Sequence, residues 1–147
     1  MKKILLLIFI GGVTAPIYSM DIKQIARDPK LKILDDTIFD ALKSQRRLVQ
    51  RGDEHFSNLL SDQINIIEKL TEELYVQYKK QIPYLLAQSI SDAKHAIKMI
   101  DEAKQDLKDK EMDETTFNRT IRINIVDLAS RLGMARGVVQ TLLEVAQ

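Results

Sequence analysis

Two histidines, His55 and His95, are the side chains in this 147-residue sequence best suited to proton transfer or metal binding near neutral pH. A carboxylate-bridged metal site in a helical protein needs inward Glu residues and paired Glu-x-x-His motifs. The nearest match is Asp92-x-x-His95, a single copy with Asp in place of Glu. His95 lies two residues past the apolar position Ala93, which on a helix turns it outward. His55 falls in the first turn of an expected helix, where the dipole disfavours a charged imidazole. Both are therefore read as solvated surface residues. The carboxylate pairs Glu72-Glu73 and Asp101-Glu102 are adjacent in sequence, so on a helix they diverge and form no acid–base pair. Met99 and Met134 suit core filling better than haem ligation. The chain has no cysteine, which removes thiolate chemistry, zinc–thiolate sites, iron–sulfur clusters and disulfides. It also has no phosphate-cradling glycine loop and no Gly-x-Ser-x-Gly elbow. We expect no catalytic residue, no cofactor and no metal, and hence no enzyme.

Three other features could carry function. Asn118-Arg119-Thr120 fits an N-glycosylation acceptor, which would matter only in a eukaryotic secretory pathway and reads as a chance occurrence. Arg46, Arg47 and Arg51 form a basic cluster that could meet an acidic partner. The same cluster suits the end of a helix, where cations complement the dipole. Residues 127–143 resemble a helix-turn-helix, with Ala129, Gly133 and Val139 at the small, turn and β-branched positions. That resemblance implies a recognition helix from near Ala135 that presents Arg136, Gln140 and Thr141 to a DNA groove. The competing reading is a continuous helix with two glycines, Gly133 and Gly137. A formal net charge of +1 gives no general reason to expect nucleic acid.

The elements that must position these residues are helical. Only five glycines and three prolines occur, too few for a fold built on tight turns, and no segment alternates with period two. Asp28-Pro29 marks a helix start, since Asp can accept free N–H groups and Pro suits the first helical position. Leu31, Leu34, Ile38, Leu42, Gln45 and Val49 then follow at helical spacing, and Gly52 ends the run. Asp53 caps the next stripe: Phe56, Leu60, Ile64, Ile67, Leu70, Leu74, Tyr78 and Ile82. The third stripe is Leu86, Ile90, Ala93, Ile97, Ile100 and Leu107, with Lys104 out of character. Asp113 is the expected cap of the last helix, with Met112 and Phe117 placed as a hydrophobic staple. That helix reads Ile121, Ile125, Leu128, Leu132, Ala135, Val139, Leu142 and Ala146, flanked by Val126, Ala129, Val138 and Leu143. So wide a stripe predicts the most buried helix of the four.

The expected fold is all-α, an elongated antiparallel bundle with helices near 29–51, 54–81, 84–110 and 114–146. Residues 20–27 read as a short polar lead-in. Pro83 leaves two architectures open. The apolar phase runs through it from Tyr78 to Ile90, which suits one long kinked helix; the cost of an interior proline, about 3 kcal/mol, favours a break. The segment 29–51 carries six basic and three acidic residues, whereas 53–82 carries three and six, so the two should fold back on each other with complementary flanks.

The N-terminus adds an address. Lys2-Lys3, the apolar run Ile4–Ile10 and the Pro16-to-Ser19 stretch have the layout of a secretory signal peptide. The apolar run is well short of the roughly 20 residues that span a bilayer. We expect cleavage after Ser19, leaving residues 20–147 as a single helical domain without a stable membrane span. The resulting expectation is an exported protein, periplasmic or secreted. It would act by binding another protein, a peptide or itself, as an adaptor, chaperone-like protein or secreted effector. The alternative is a helix-turn-helix DNA-binding protein using residues 127–143.

Overall fold

The computed structural model describes residues 19–51, 54–78 and 82–145, with side chains over 23–49, 58–78 and 82–145. Residues 1–18 of the expected signal sequence and the boundary residues Gly52 and Asp53 lie outside the described residues. Five helices follow in order: α1 (Ser19–Arg27), α2 (Pro29–Arg51), α3 (Glu54–Gln77), α4 (Tyr84–Lys108) and α5 (Glu114–Glu144). Among the described residues there is no strand, and no helix is long and apolar enough to cross a membrane.

Helices α2 to α5 form an antiparallel bundle, and a polar contact ties each of its four seams. Lys30 Nζ donates to Gln77 Oε1 at 2.6 Å between α2 and α3. Lys94 and Glu68 pair at 2.6 Å between α3 and α4. Arg131 reaches Asp92 at 3.3 Å between α4 and α5. Arg136 reaches Asp35 at 3.4 Å between α5 and α2. Helices α2 and α3 fold back on each other as their complementary charge predicts, while the ion pairs named here cross the other three seams. Exposed pairs such as Lys94–Glu68 contribute only a few tenths of a kcal/mol and fix register more than they stabilise, whereas Arg136 meets a buried carboxylate, Asp35. Burial of Leu, Ile and Ala side chains supplies the driving force.

The expected lead-in is a helix. In α1, Ile25 and Ala26 are buried, and the helix packs against α5 and α2 at the end of the bundle where α2 begins. Asp28 turns the chain from α1 into α2. Its Oδ1 accepts from Lys30 N at 2.9 Å, as expected of a helix cap with Pro29 in the first turn. Its Oδ2 accepts from Tyr78 Oη at 2.6 Å, which anchors the end of α3 to the same junction.

Pro83 settles as a break. It has φ −55° and ψ 131°, an extended conformation, and Leu86 N donates to its carbonyl at 3.0 Å as α4 begins. The single kinked helix is thereby excluded. A proline ring clashes with the carbonyl four residues earlier and pushes its predecessor out of helical geometry. Helix α3 accordingly stops at Gln77, short of the expected 81. The apolar phase survives because Ile82 and Leu86 are buried on either side of the break.

The α4–α5 connection is a Schellman motif without glycine. Glu111 N donates to Asp106 O at 2.8 Å and Lys110 N to Leu107 O at 3.2 Å. Lys110 stands at φ 60°, in the left-handed position where glycine is usual. Asp113 then caps α5, accepting from Thr116 N at 2.6 Å. Met112 and Phe117, the expected staple pair, are both half-buried.

The apolar stripes are largely as expected, with informative slips. In α2 the buried face ends on Leu48, and Val49 is 57% exposed. In α4 the face takes Ala103, and Lys104 is half-buried. In α5 the C-terminal two-thirds is buried as expected, but Val126 is 64% exposed, so the helix is not apolar-covered along its whole length. These slips all occur at one end of the bundle.

Candidate functional site

At the end opposite α1, the two helical hairpins do not close. A groove of about 1110 Å³ opens there, lined by α2, α3, α4 and α5. Its floor is core: Leu48, Ile100 and Ile125 are buried. Half-buried Phe117, Ile121 and Ala129 continue the apolar wall, and exposed Val49 and Val126 bring it to the surface. Gln45 is buried and donates from Nε2 to the carbonyl of Ile125 at 3.1 Å, bridging α2 to α5 beneath the groove.

Around this floor stand Lys104, Lys108 and Arg122, with Asp101 as the acidic residue among the lining groups. Lys108 and Arg122 are exposed and make no ion pair among the described residues. Asn118 lines the groove as well, within the sequence that fits a glycosylation acceptor. The arrangement is an apolar cleft with a basic edge.

The basic cluster expected to meet a partner lies in the last turns of α2, at this end of the bundle. Helix α2 advances about 100° per residue, so Arg46 flanks the face carrying Gln45, Leu48 and Val49, while Arg47 points nearly opposite. Both are exposed. The side chain of Arg51 lies outside the described residues.

The turn that a helix-turn-helix requires is absent. Residues 127–143 lie inside the unbroken helix α5, and no second helix starts near Ala135. Gly133 and Gly137 sit on an exposed face where an added Cβ would meet nothing within 4 Å. Arg136, expected at a DNA groove, reaches back to Asp35 at 3.4 Å and lies over the Phe39 ring at 4.5 Å. Val138, Val139 and Leu142 are core. The physical reason is apolar continuity: the stripe Ile125, Leu128, Leu132, Ala135, Val139 keeps its helical phase straight past Gly133.

The remaining sequence candidates are dispersed. His95 is exposed beside a shallower hollow between α3 and α4. The side chain of His55 is outside the described residues. Asp92 is engaged by Arg131 and by Gln88 Nε2 at 3.0 Å. Glu72, Glu73, Asp101 and Glu102 are exposed, as is Met134, while Met99 is half-buried. Among the described residues, no three His, Asp or Glu side chains come together as metal ligands would.

The groove itself was not anticipated, although two residues announced it. Gln45 in α2 and Lys104 in α4 are polar members of otherwise apolar stripes, and antiparallel folding brings both to one end. Fold and site together define a four-helix antiparallel bundle, closed at one end by a short helix and cleft at the other. Comparison of the chain with protein-family models, with curated proteins and with solved structures gives no match.

Proposed function

We propose that this is an exported helical-bundle protein that acts by binding a peptide or a segment of another protein in the groove between Val49, Lys104, Arg122 and Val126. The observation that carries the reading is the groove's combination of size and lining. Small-molecule pockets run to roughly 1,000 Å³ and enclose most of their ligand. A cleft of about 1110 Å³ between four helices, with apolar side chains continuing to its mouth, suits a longer occupant. Helical segments commonly dock this way, apolar face into a groove. Export rests on the order of Lys2-Lys3, the apolar run and the Pro16-to-Ser19 stretch.

Two measurements test this. N-terminal sequencing of the native protein should begin at Met20; an intact Met1 form in the cytoplasm would remove the export half. Selection from a random peptide display library should enrich peptides that bind the protein and lose binding to Val126→Glu. Val126 is exposed, so the substitution leaves the core intact. Enriched peptides indifferent to Val126→Glu would move the binding surface elsewhere.

A further inference from the structure

The basic edge identifies the kind of segment that fits. We propose that the groove takes an acidic amphipathic helix of a partner protein, its apolar residues on the Leu48–Ile100–Ile125 floor and its carboxylates against Lys104, Lys108 and Arg122. The proposal rests on the peptide-binding reading and narrows it.

Three observations support this occupant. The chain as a whole is almost neutral, at +1, yet the groove sets three cations against one carboxylate, Asp101. The excess is therefore local. Elsewhere on the bundle, a number of cations meet carboxylates: Lys32 with Asp36, Lys94 with Glu68, Lys98 with Glu102, Arg131 with Asp92 and Asp127. Lys108 and Arg122 lack such partners among the described residues, and Arg46 beside the mouth lacks one too. Complementary charge across an interface selects partner and register, and like charge rejects wrong ones.

The opposite end of the bundle displays the same mode of packing within the chain. There the short helix α1 packs against α5 and α2 with Ile25 and Ala26 buried and Lys23, Gln24 and Arg27 exposed. A bundle end of this fold thus accepts an amphipathic helix of about two turns. Duplex nucleic acid would satisfy the cations but leave the apolar floor empty, because phosphate contacts need no such surface.

The probe is a fluorescent 14-residue helix with leucine at i, i+3, i+7 and i+10 and glutamate at most other places. Two companions carry lysine or glutamine in place of glutamate, and a fourth keeps glutamate but replaces leucine with serine. Binding is read by fluorescence anisotropy against the purified protein. The acidic amphipathic probe should bind, and affinity should fall about tenfold or more in the double variant Lys108→Glu, Arg122→Glu. It should be unchanged in Lys69→Glu on exposed α3, and it should weaken with added salt. All these positions are exposed, and circular dichroism of each variant checks that its helices are kept. Equal binding of the lysine probe, or indifference to the double reversal, would overturn the proposal. So would equal binding of the serine probe, preferential binding of duplex DNA or of phosphatidylglycerol vesicles, or a dimer that buries the groove. Groove-dependent binding of the glutamine probe alone would overturn the acidic occupant while leaving the peptide reading intact. Failure of every probe at the groove, together with a display selection indifferent to Val126→Glu, would overturn both.

Discussion

Tyr78 Oη donates a 2.6 Å hydrogen bond to Asp28 Oδ2 across 50 residues of sequence. The contact joins the last turn of α3 to the corner between α1 and α2, where Asp28 also caps α2 through Lys30 N. One carboxylate therefore holds three helices at the closed end. Burial, and then the hydrogen bond to Asp28, push the Tyr78 phenol up to about 12.

Tyr78→Phe should destabilise the protein by about 1 kcal/mol at neutral pH, the usual net value of one hydrogen bond, measured by urea denaturation. The pH dependence has a definite sign. The folded state holds the phenolic proton more tightly than the unfolded chain, whose tyrosines titrate near 10. Stability from this group is complete below pH 10 and declines as pH rises from about 10 to about 12. The Phe variant should lack that alkaline component; a variant with the same alkaline slope as the parent would assign the slope to other groups.

Asp113 titrates in the opposite direction. Hydrogen bonds from Thr116, with a smaller contribution from Arg119, hold its carboxyl below the usual range. Its contribution is present above the ordinary Asp range and is lost as pH falls through the folded value. Asp113→Ala should therefore destabilise α5 at pH 7, and the gap from the parent should narrow in acid. A gap of constant size down to pH 2 would show that the cap acts without its charge.

Lys110 occupies a left-handed position, which costs an L-residue about 1 kcal/mol or more. Lys110→Gly should stabilise the protein by roughly 1 kcal/mol, because glycine enters this region without steric cost. Thermal and chemical denaturation should both register it. Destabilisation would mean that Lys110 contributes through its side chain more than its backbone costs.

Gly133 gives the reverse case. It lies mid-helix with free space around it, so Gly133→Ala should stabilise α5 by about 0.5–1 kcal/mol. Destabilisation on this substitution would be the signature of a turn at residue 133.

Leu128 and Leu132 fill the core where α5 meets the other helices. Replacing either with alanine should cost about 2–5 kcal/mol. Exposed His95→Ala should change stability by less than roughly 0.5 kcal/mol. Comparable losses at the two kinds of site would reverse the assignment of faces.

Local chemistry alone determined much of this molecule. Asp28-Pro29 and Asp113 set helix starts because side-chain acceptors next to free N–H groups act within a few residues. Apolar spacing of three and four determined which faces turn inward, since that periodicity is a property of each helix by itself. Other features required the assembled fold. Proline geometry and apolar phase disagreed at residue 83, and the break won because packing of Ile82 and Leu86 could be kept without paying for a helical proline. Residues 127–143 matched a turn motif residue by residue, yet the core demanded an unbroken α5. Lys110 carried no turn signature, since only the hydrogen bonds around it reveal its conformation. The groove is the clearest case. Gln45 and Lys104 are separated by 59 positions; Gln45 passes as a member of its stripe, and Lys104 alone is out of character in its own. Antiparallel packing places both at the end where the hairpins part, and a cleft between helices exists only once the helices have met.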